Sequence, residues 1–445
     1  MKRFLTFIHQ PVHIAPLAIF RILFGAMMFF SILRFAAKGW IYDLYVKPQF
    51  FFAYPGFEWL KPLGASGMYF VFAALALSFL MVMLGLFYRV SSVAAFLLFT
   101  YVELLDRSNY LNHYYFISIV SFLLCFLPAH RFFSLDVKRK PSLKITHIPF
   151  WMTAAIKLQL GMVYFFAGVA KINYDWLFNA MPLQLWLPPR QDMPLIGFLF
   201  KYTGVAYFFS WFGCIYDLTI PFFLCFRKTR PWAYFFVIVF HVLTGMLFYI
   251  GMFPYIMIVS TLVFFGEEFH LKVISFFGGN QLSNNKINAL PTLKMTLLPV
   301  FLSIFFFIQI LLPFRYILYP GKLFWHEEGY RFSWRVMLME KGGYAVFKLK
   351  DKDSGRKWEV KNYDFLTPVQ EKMMSTQPDM LLQFAHFLEA KYHTEGIRNL
   401  EIKVECYVTL NGSSSQLLID PEVDLTQIEE GLGSRKWVLP FRENE

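Results

Sequence analysis

Cysteine is scarce in this 445-residue chain: Cys125, Cys214, Cys225 and Cys406 lie far apart, three of them inside apolar runs. They form neither a disulfide framework nor a C-x-x-C metal pair, so they say little about compartment. Histidine is equally dispersed. His9 and His13 are four apart but separated by Pro11, and His130, His147, His270, His326, His386 and His393 are isolated, so no metal is expected. A G-x-S-x-G elbow, a P-loop and a Rossmann fingerprint are all missing, which removes the commonest hydrolase, NTPase and dinucleotide readings. Charge is thin too. Only 16% of residues are Asp, Glu, Lys or Arg, against 57% apolar and 20% aromatic, a balance that excludes an ordinary soluble domain.

What stands in place of charge is apolar length. Runs of about 17 to 25 residues match a bilayer core, and about nine are found: 16–36, 67–87, 90–105, 112–128, 150–172, 203–226, 231–249, 252–265 and 295–319. The first carries Arg21 and Arg34 with no small-residue cleavage site after it, and reads as a retained helix. The net charge of +12 is unevenly placed. With a cytoplasmic N-terminus, inner segments hold clusters such as Arg131, Lys138, Arg139, Lys140 and Lys144, whereas the outer loops before residue 320 hold only Lys38, Lys47, Lys61, Arg107, Arg190 and Lys201. That asymmetry is the positive-inside pattern. No recognition module surrounds the basic stretches, so nucleic acid is not an expected partner.

The expectation is therefore an α-helical multi-pass membrane bundle of about nine helices over residues 1–319, followed by an extracytoplasmic α+β domain over 320–445. In the tail, "YAVFKLK" and "RKWEVKN" flank "DKDSG" as one hairpin, and "NLEIKVECYVTL" and "SSQLLID" flank "NGS" as a second. Between them a helical period runs from about Pro378. "GGNQLSNNK" at 278–286 reads as a polar inner loop. This topology gathers three polar elements at the outer end: "LLDRSNYLNHYYF", "GVAKINYDW" and the Trp334 segment of the tail. A site roofed by the soluble domain is expected there.

Lys171 ends the run "LGMVYFFAGVA". One reading is a lysine snorkelling to the interface. The other is an amine stripped of water so that it serves as a base, turned inward because Ala167, Gly168 and Ala170 allow close helix approach. His113 beside Asn112 reads either as a satisfied helix-start residue or as an acid/base group whose tautomer the Asn112 amide fixes. His241, mid-run in "VIVFHVLTG", faces the protein interior as ligand or hydrogen-bond post. Most phenylalanines pack or face lipid, while a minority suit a flat apolar pocket for a quinone.

"HIAPLAIFRILFG", "YVELLDRSNYLNHYYF", "FFAGVAKINYDW", "FRKTRPWAYFFVIVFHVLTGMLFYIGMFPYIM" and "GYRFSWRVMLM", in this order, resemble the vitamin K-dependent gamma-glutamyl carboxylases and their horizontally transferred transmembrane domain. The resemblance covers almost the whole chain. It implies that a reduced naphthoquinone is oxidised by molecular oxygen to its epoxide, and that the strong base formed on the way removes a γ-proton from a glutamyl residue, which takes up carbon dioxide. Glutamyl peptides or proteins would be the substrates, in a membrane. It also implies that Lys171 is the catalytic base, that His113 assists the carbanion step, and that Asn112 holds a quinone oxygen. Tyr164, His241, Phe253, Trp334 and Met337 match the family's pocket-forming segments. Water would quench such a base, hence the burial; Lys171 need only deprotonate the quinol.

Three departures accompany the resemblance. Animal carboxylases continue into a longer propeptide-recognising region that has no counterpart in these residues. Residues 37–66 lack the cysteine of the family's loop-to-domain disulfide, and Met339 and Lys341 stand where the family carries a histidine and an arginine near the glutamyl substrate. Two alternatives follow: a quinol epoxidase that does not carboxylate protein, and a non-enzymatic membrane binder of a lipid or quinone.

Overall fold

The computed structural model describes residues 6–248, 250–277, 297–431 and 433–443. The loop at 278–286 lies outside the described residues. Helices occupy all nine apolar runs: α1 (Ala15–Ala37), α2 (Gly64–Leu84), α3 (Tyr88–Leu104), α4 (Asn112–Phe126), α5 (Phe150–Ala170), α6 (Thr203–Cys225), α7 (Arg230–Leu247), α8 (Phe253–Thr261) and α9 (Leu297–Leu311). Six are long and apolar enough to cross a membrane, namely α1, α2, α5, α6, α7, and α9 with its 3-10 extension to Leu318. The remaining three are shorter. On α7 and α9 large apolar side chains such as Phe235, Val242, Phe307 and Leu311 point outward, as expected of helices solvated by lipid rather than water. The chain is a multi-pass membrane protein.

Small residues set the closest helix contacts. A Cβ on Gly25 of α1 would lie 2.6 Å from the Met83 backbone nitrogen of α2, and one on Gly168 of α5 would lie 2.7 Å from the Leu218 nitrogen of α6. Only glycine permits such backbone approach. A feature unannounced by any periodicity closes the opposite end: β1 (Pro11–His13) pairs antiparallel with β2 (His147–Pro149), His13 opposite His147. This ribbon joins the residues before α1 to those before α5.

The tail is α+β, with both hairpins where the turn residues put them. β3 (Lys341–Asp351) turns back into β4 (Lys357–Glu359), and β5 (Leu400–Leu410) into β6 (Gln416–Leu417), giving an antiparallel sheet ordered β4-β3-β5-β6. β3 and β5 pair along their full lengths, Lys341 opposite Leu410 and Asp351 opposite Leu400. Alternate residues of β5, from Leu400 to Leu410, are buried, the two-residue period of a half-covered strand. Two helices cover that face: α10 (Pro368–Met374), which the sequence reading did not foresee, and α11 (Pro378–Thr394). Their core is continuous with Phe52, Trp176, Leu183 and Phe200 of the bundle's loops, so the tail caps the bundle.

Candidate active site

Lys171 follows the last turn of α5 and points inward. Its Nζ donates to Asp217 Oδ2 of α6 at 2.6 Å and to Ala167 O at 3.2 Å, and stands 5.4 Å from the Trp176 ring centroid. Both side chains of the pair are buried. The sequence logic held at Gly168, whose missing side chain lets α5 and α6 approach. The following loop is locked: the Asn173 side chain accepts from Trp176 N at 2.9 Å, and Trp176 Nε1 donates to Ser210 O at 2.9 Å. A carboxylate faces the amine, a partner that neither reading of the lysine included. Asp217 was missed, although an acid inside "CIYDLTI" is the kind of intramembrane charge that marks a function.

The pair lies on a small cavity of about 90 Å³ whose walls are otherwise largely apolar. Tyr164, His241, Phe253 and Met337 line it as well. The Tyr164 hydroxyl sits between His241 Nε2 at 3.1 Å and Thr261 Oγ1 at 3.2 Å, while His241 Nδ1 is enclosed without a hydrogen-bond partner among the described residues. A flat ring carrying polar oxygens matches this donor set: aromatic walls, the Lys171–Asp217 pair, and an uncommitted imidazole nitrogen.

Asn112 and His113 line a larger chamber of about 510 Å³, walled by α1, α3, α4 and the tail segment 327–339. Four residues, Ile250, Phe253, Val336 and Met337, line both spaces and so form the partition between them. The Phe253 ring lies 5.9 Å from His113 on one side and 6.0 Å from His241 on the other, centroid to centroid. The tail's contribution to this wall is strained: Phe332, Trp334 and Met337 have φ of 60°, 57° and 53°. Left-handed backbone at bulky residues costs on the order of 1–3 kcal/mol each and persists where surroundings dictate it.

Residues 9–269 match the HTTM domain, and residues 294–444 match the vitamin K-dependent gamma-carboxylase lumenal domain. The chain belongs to the gamma-glutamyl carboxylase family. No solved structure matches it. Against that membership the remaining positions can be placed. The Asn112 amide is committed elsewhere than to His113: Nδ2 donates to Arg335 O at 2.7 Å, and Oδ1 accepts from Tyr110 OH at 3.1 Å. Tyr110 in turn accepts from Phe332 N at 2.7 Å, so Asn112 and Tyr110 hold the strained segment. Trp334 lines neither cavity; it is buried behind the wall, stacked on Tyr115 with centroids 4.9 Å apart. Of the two departures near the expected glutamyl site, Met339 faces the large chamber, whereas Lys341 is tied to Glu327 at 2.9 Å and to Trp325 O at 2.6 Å.

The roof of the chamber is held by buried charge. Asp379 of α11 pairs with Arg331 at 2.6 Å and with Arg107, from the loop between α3 and α4, at 2.9 Å. Burial opposes its ionisation, yet the Arg331 and Arg107 charges hold its carboxyl far below the ordinary carboxylate range. Beside it, burial pushes the Asp106 carboxyl up to about 6 despite hydrogen bonds from Ser108 and Gln370. All four cysteines are free, so this docking is non-covalent. Among the described residues no group of His, Cys, Asp or Glu is arranged to hold a metal.

Proposed function

We propose that this chain is a vitamin K-dependent gamma-glutamyl carboxylase-like enzyme, coupling oxygenation of a reduced naphthoquinone to carboxylation of glutamyl residues. The observation that carries the reading is the pair of chambers sharing one thin wall, with Lys171–Asp217 on one side and Asn112–His113 on the other. Residues 1–319 form the membrane domain, crossing nine times from a cytoplasmic N-terminus, and residues 320–445 form the domain on the opposite face. The reduced naphthoquinone belongs in the small chamber against Phe253 and Met337, with His241, positioned by Tyr164, facing one polar end. When bound, and with oxygen, it supplies base strength that no side chain has.

The chain's own residues have simpler duties. Lys171 and Asp217 act as a unit across their 2.6 Å contact. Lys171, as its neutral amine, takes the proton from the quinol hydroxyl, and the Asp217 carboxylate offsets the charge of the ammonium that results. The apolar walls exclude water. His113, reached across the partition, serves the glutamyl carbon; Asn112 and Trp334 hold the wall in shape. Molecular oxygen and carbon dioxide are co-substrates. The narrower reading, quinol epoxidation without carboxylation, draws support from Met339 on the chamber wall and Lys341 tied to Glu327.

The test is the ratio of epoxide formed to carbon dioxide fixed, with a short glutamyl peptide as acceptor. Wild type is expected to give both products, His113→Ala to retain more epoxidation than carboxylation, and Lys171→Ala to lose both, with partial rescue by small amines. Epoxide with no fixed carbon on several peptides favours the narrower reading. Saturable quinone binding with no product at all would refute the enzymatic one and leave a carrier.

A further inference from the structure

The large chamber is lined by four arginines and two glutamates, Arg34, Arg107, Arg331, Arg335, Glu103 and Glu327. Most of this charge is already spent inside the protein. Arg107 and Arg331 converge on Asp379, and Glu327 is paired with Lys341. Arg335 is engaged through its guanidinium, which lies over the Tyr316 ring at 4.5 Å with Nη2 3.5 Å from Pro313 O, although its Nε has no partner among the described residues. Glu103 is withdrawn: one oxygen accepts from the Ser118 hydroxyl, and the other is enclosed. Arg34 is what remains.

Arg34 lies in the last turn of α1, where a basic side chain would ordinarily extend into water. Instead it faces the chamber that holds His113. Its guanidinium lies 5.4 Å from the Trp40 ring centroid, with the Lys38 ammonium 5.1 Å from the same ring. Its Nε is enclosed with no hydrogen-bond partner, and no described carboxylate pairs with it. A planar fork with open donors in a partly dehydrated chamber matches a carboxylate, bidentate and planar in its turn.

We infer that Arg34 is the carboxylate anchor of the large chamber, binding the side chain of a glutamyl residue presented beside His113. This rests on the carboxylase reading above and assigns the substrate contact that Met339 and Lys341 do not provide. Bicarbonate offers the same planar anion, so the experiment keeps the two sources apart.

The experiment uses the full chain in detergent, following thermal unfolding with a short glutamyl peptide, its glutaminyl counterpart, or bicarbonate, in wild type, Arg34→Gln and Arg34→Lys. The glutamyl peptide should stabilise wild type and the glutaminyl peptide should not. In Arg34→Gln the glutamyl concentration needed should rise about ten- to a hundredfold, the loss expected for a hydrogen bond to a charged group; Arg34→Lys should fall between. An unliganded unfolding temperature equal to wild type shows that the variant is folded, and a destabilised Arg34→Gln is replaced in the comparison by Arg34→Lys. Arg34-dependent peptide binding without fixed carbon dioxide would uphold the anchor while sinking the carboxylase reading. Equal binding of the two peptides by wild type, equal glutamyl binding by wild type and Arg34→Gln, or an effect on bicarbonate alone would each overturn the anchor.

Discussion

Removing Lys171 alone leaves the Asp217 carboxylate buried with no cation beside it, a change expected to cost about 3–5 kcal/mol of stability. Loss of activity in Lys171→Ala would then be ambiguous between chemistry and collapse. The double variant Lys171→Met/Asp217→Leu removes both charges and should recover most of that stability while remaining inactive. If the double variant forms epoxide, the lysine is structural. A second residue-scale expectation concerns acid. Burial, aided by the nearby Lys341 and Arg435 charges, lowers the His326 pKa to about 4. Between pH 6.5 and 4 the unfolded chain therefore binds a proton that the folded tail refuses, so stability falls as pH drops through that window and is fully present above it. The effect approaches about 3 kcal/mol at pH 4. His326→Gln should flatten the difference in unfolding temperature between pH 7 and pH 5; an unchanged acid shift would assign it to another group.

Among the elements, α11 binds the roof to the bundle through Asp379, paired with Arg107, and through Gln383, which accepts from Arg107 at 3.0 Å and donates to Ala53 O at 3.3 Å. Asp379→Ala leaves Arg331 with Gln377 and Arg107 with Glu430 and Gln383, and the tail should loosen by up to about 3 kcal/mol, seen as protease cutting near residue 320 before the membrane helices unfold. Protease resistance equal to wild type would show that apolar packing alone holds the cap. The elements also show how legibility depends on range. The apolar helices and the two hairpins were readable because hydrophobic runs and turn residues act locally, and Lys171 stood out as the charge ending an apolar run. α10 was missed although Thr367 and Gln370 form a capping box; the sign was there but the helix is too short to show a period. Asp217 gave a local hint, but nothing in sequence pairs it with Lys171. The partition was out of reach because the segment that brings Val336 and Met337 to it takes left-handed backbone at Phe332, Trp334 and Met337, which no side-chain pattern announces.

For the whole molecule, the proposed topology predicts that a cysteine added after the tail sheet reacts with a membrane-impermeant reagent from outside the cell, whereas one placed at 278–286 reacts only after permeabilisation. The reverse pattern would move the roofed chamber to the cytoplasmic side. One further consequence belongs to biogenesis rather than to the finished molecule. β1 is made before α1, but its partner β2 follows only after α1 to α4, so the first helix is made with the strand before it unpaired. The ribbon can close only once β2, which directly precedes α5, has been made. A nascent chain arrested before β2 should therefore stay accessible at His13 to modification from the ribosome's side, and lengthening it past Pro149 should abolish that accessibility in one step, making the ribbon a latch that closes on the half-made bundle.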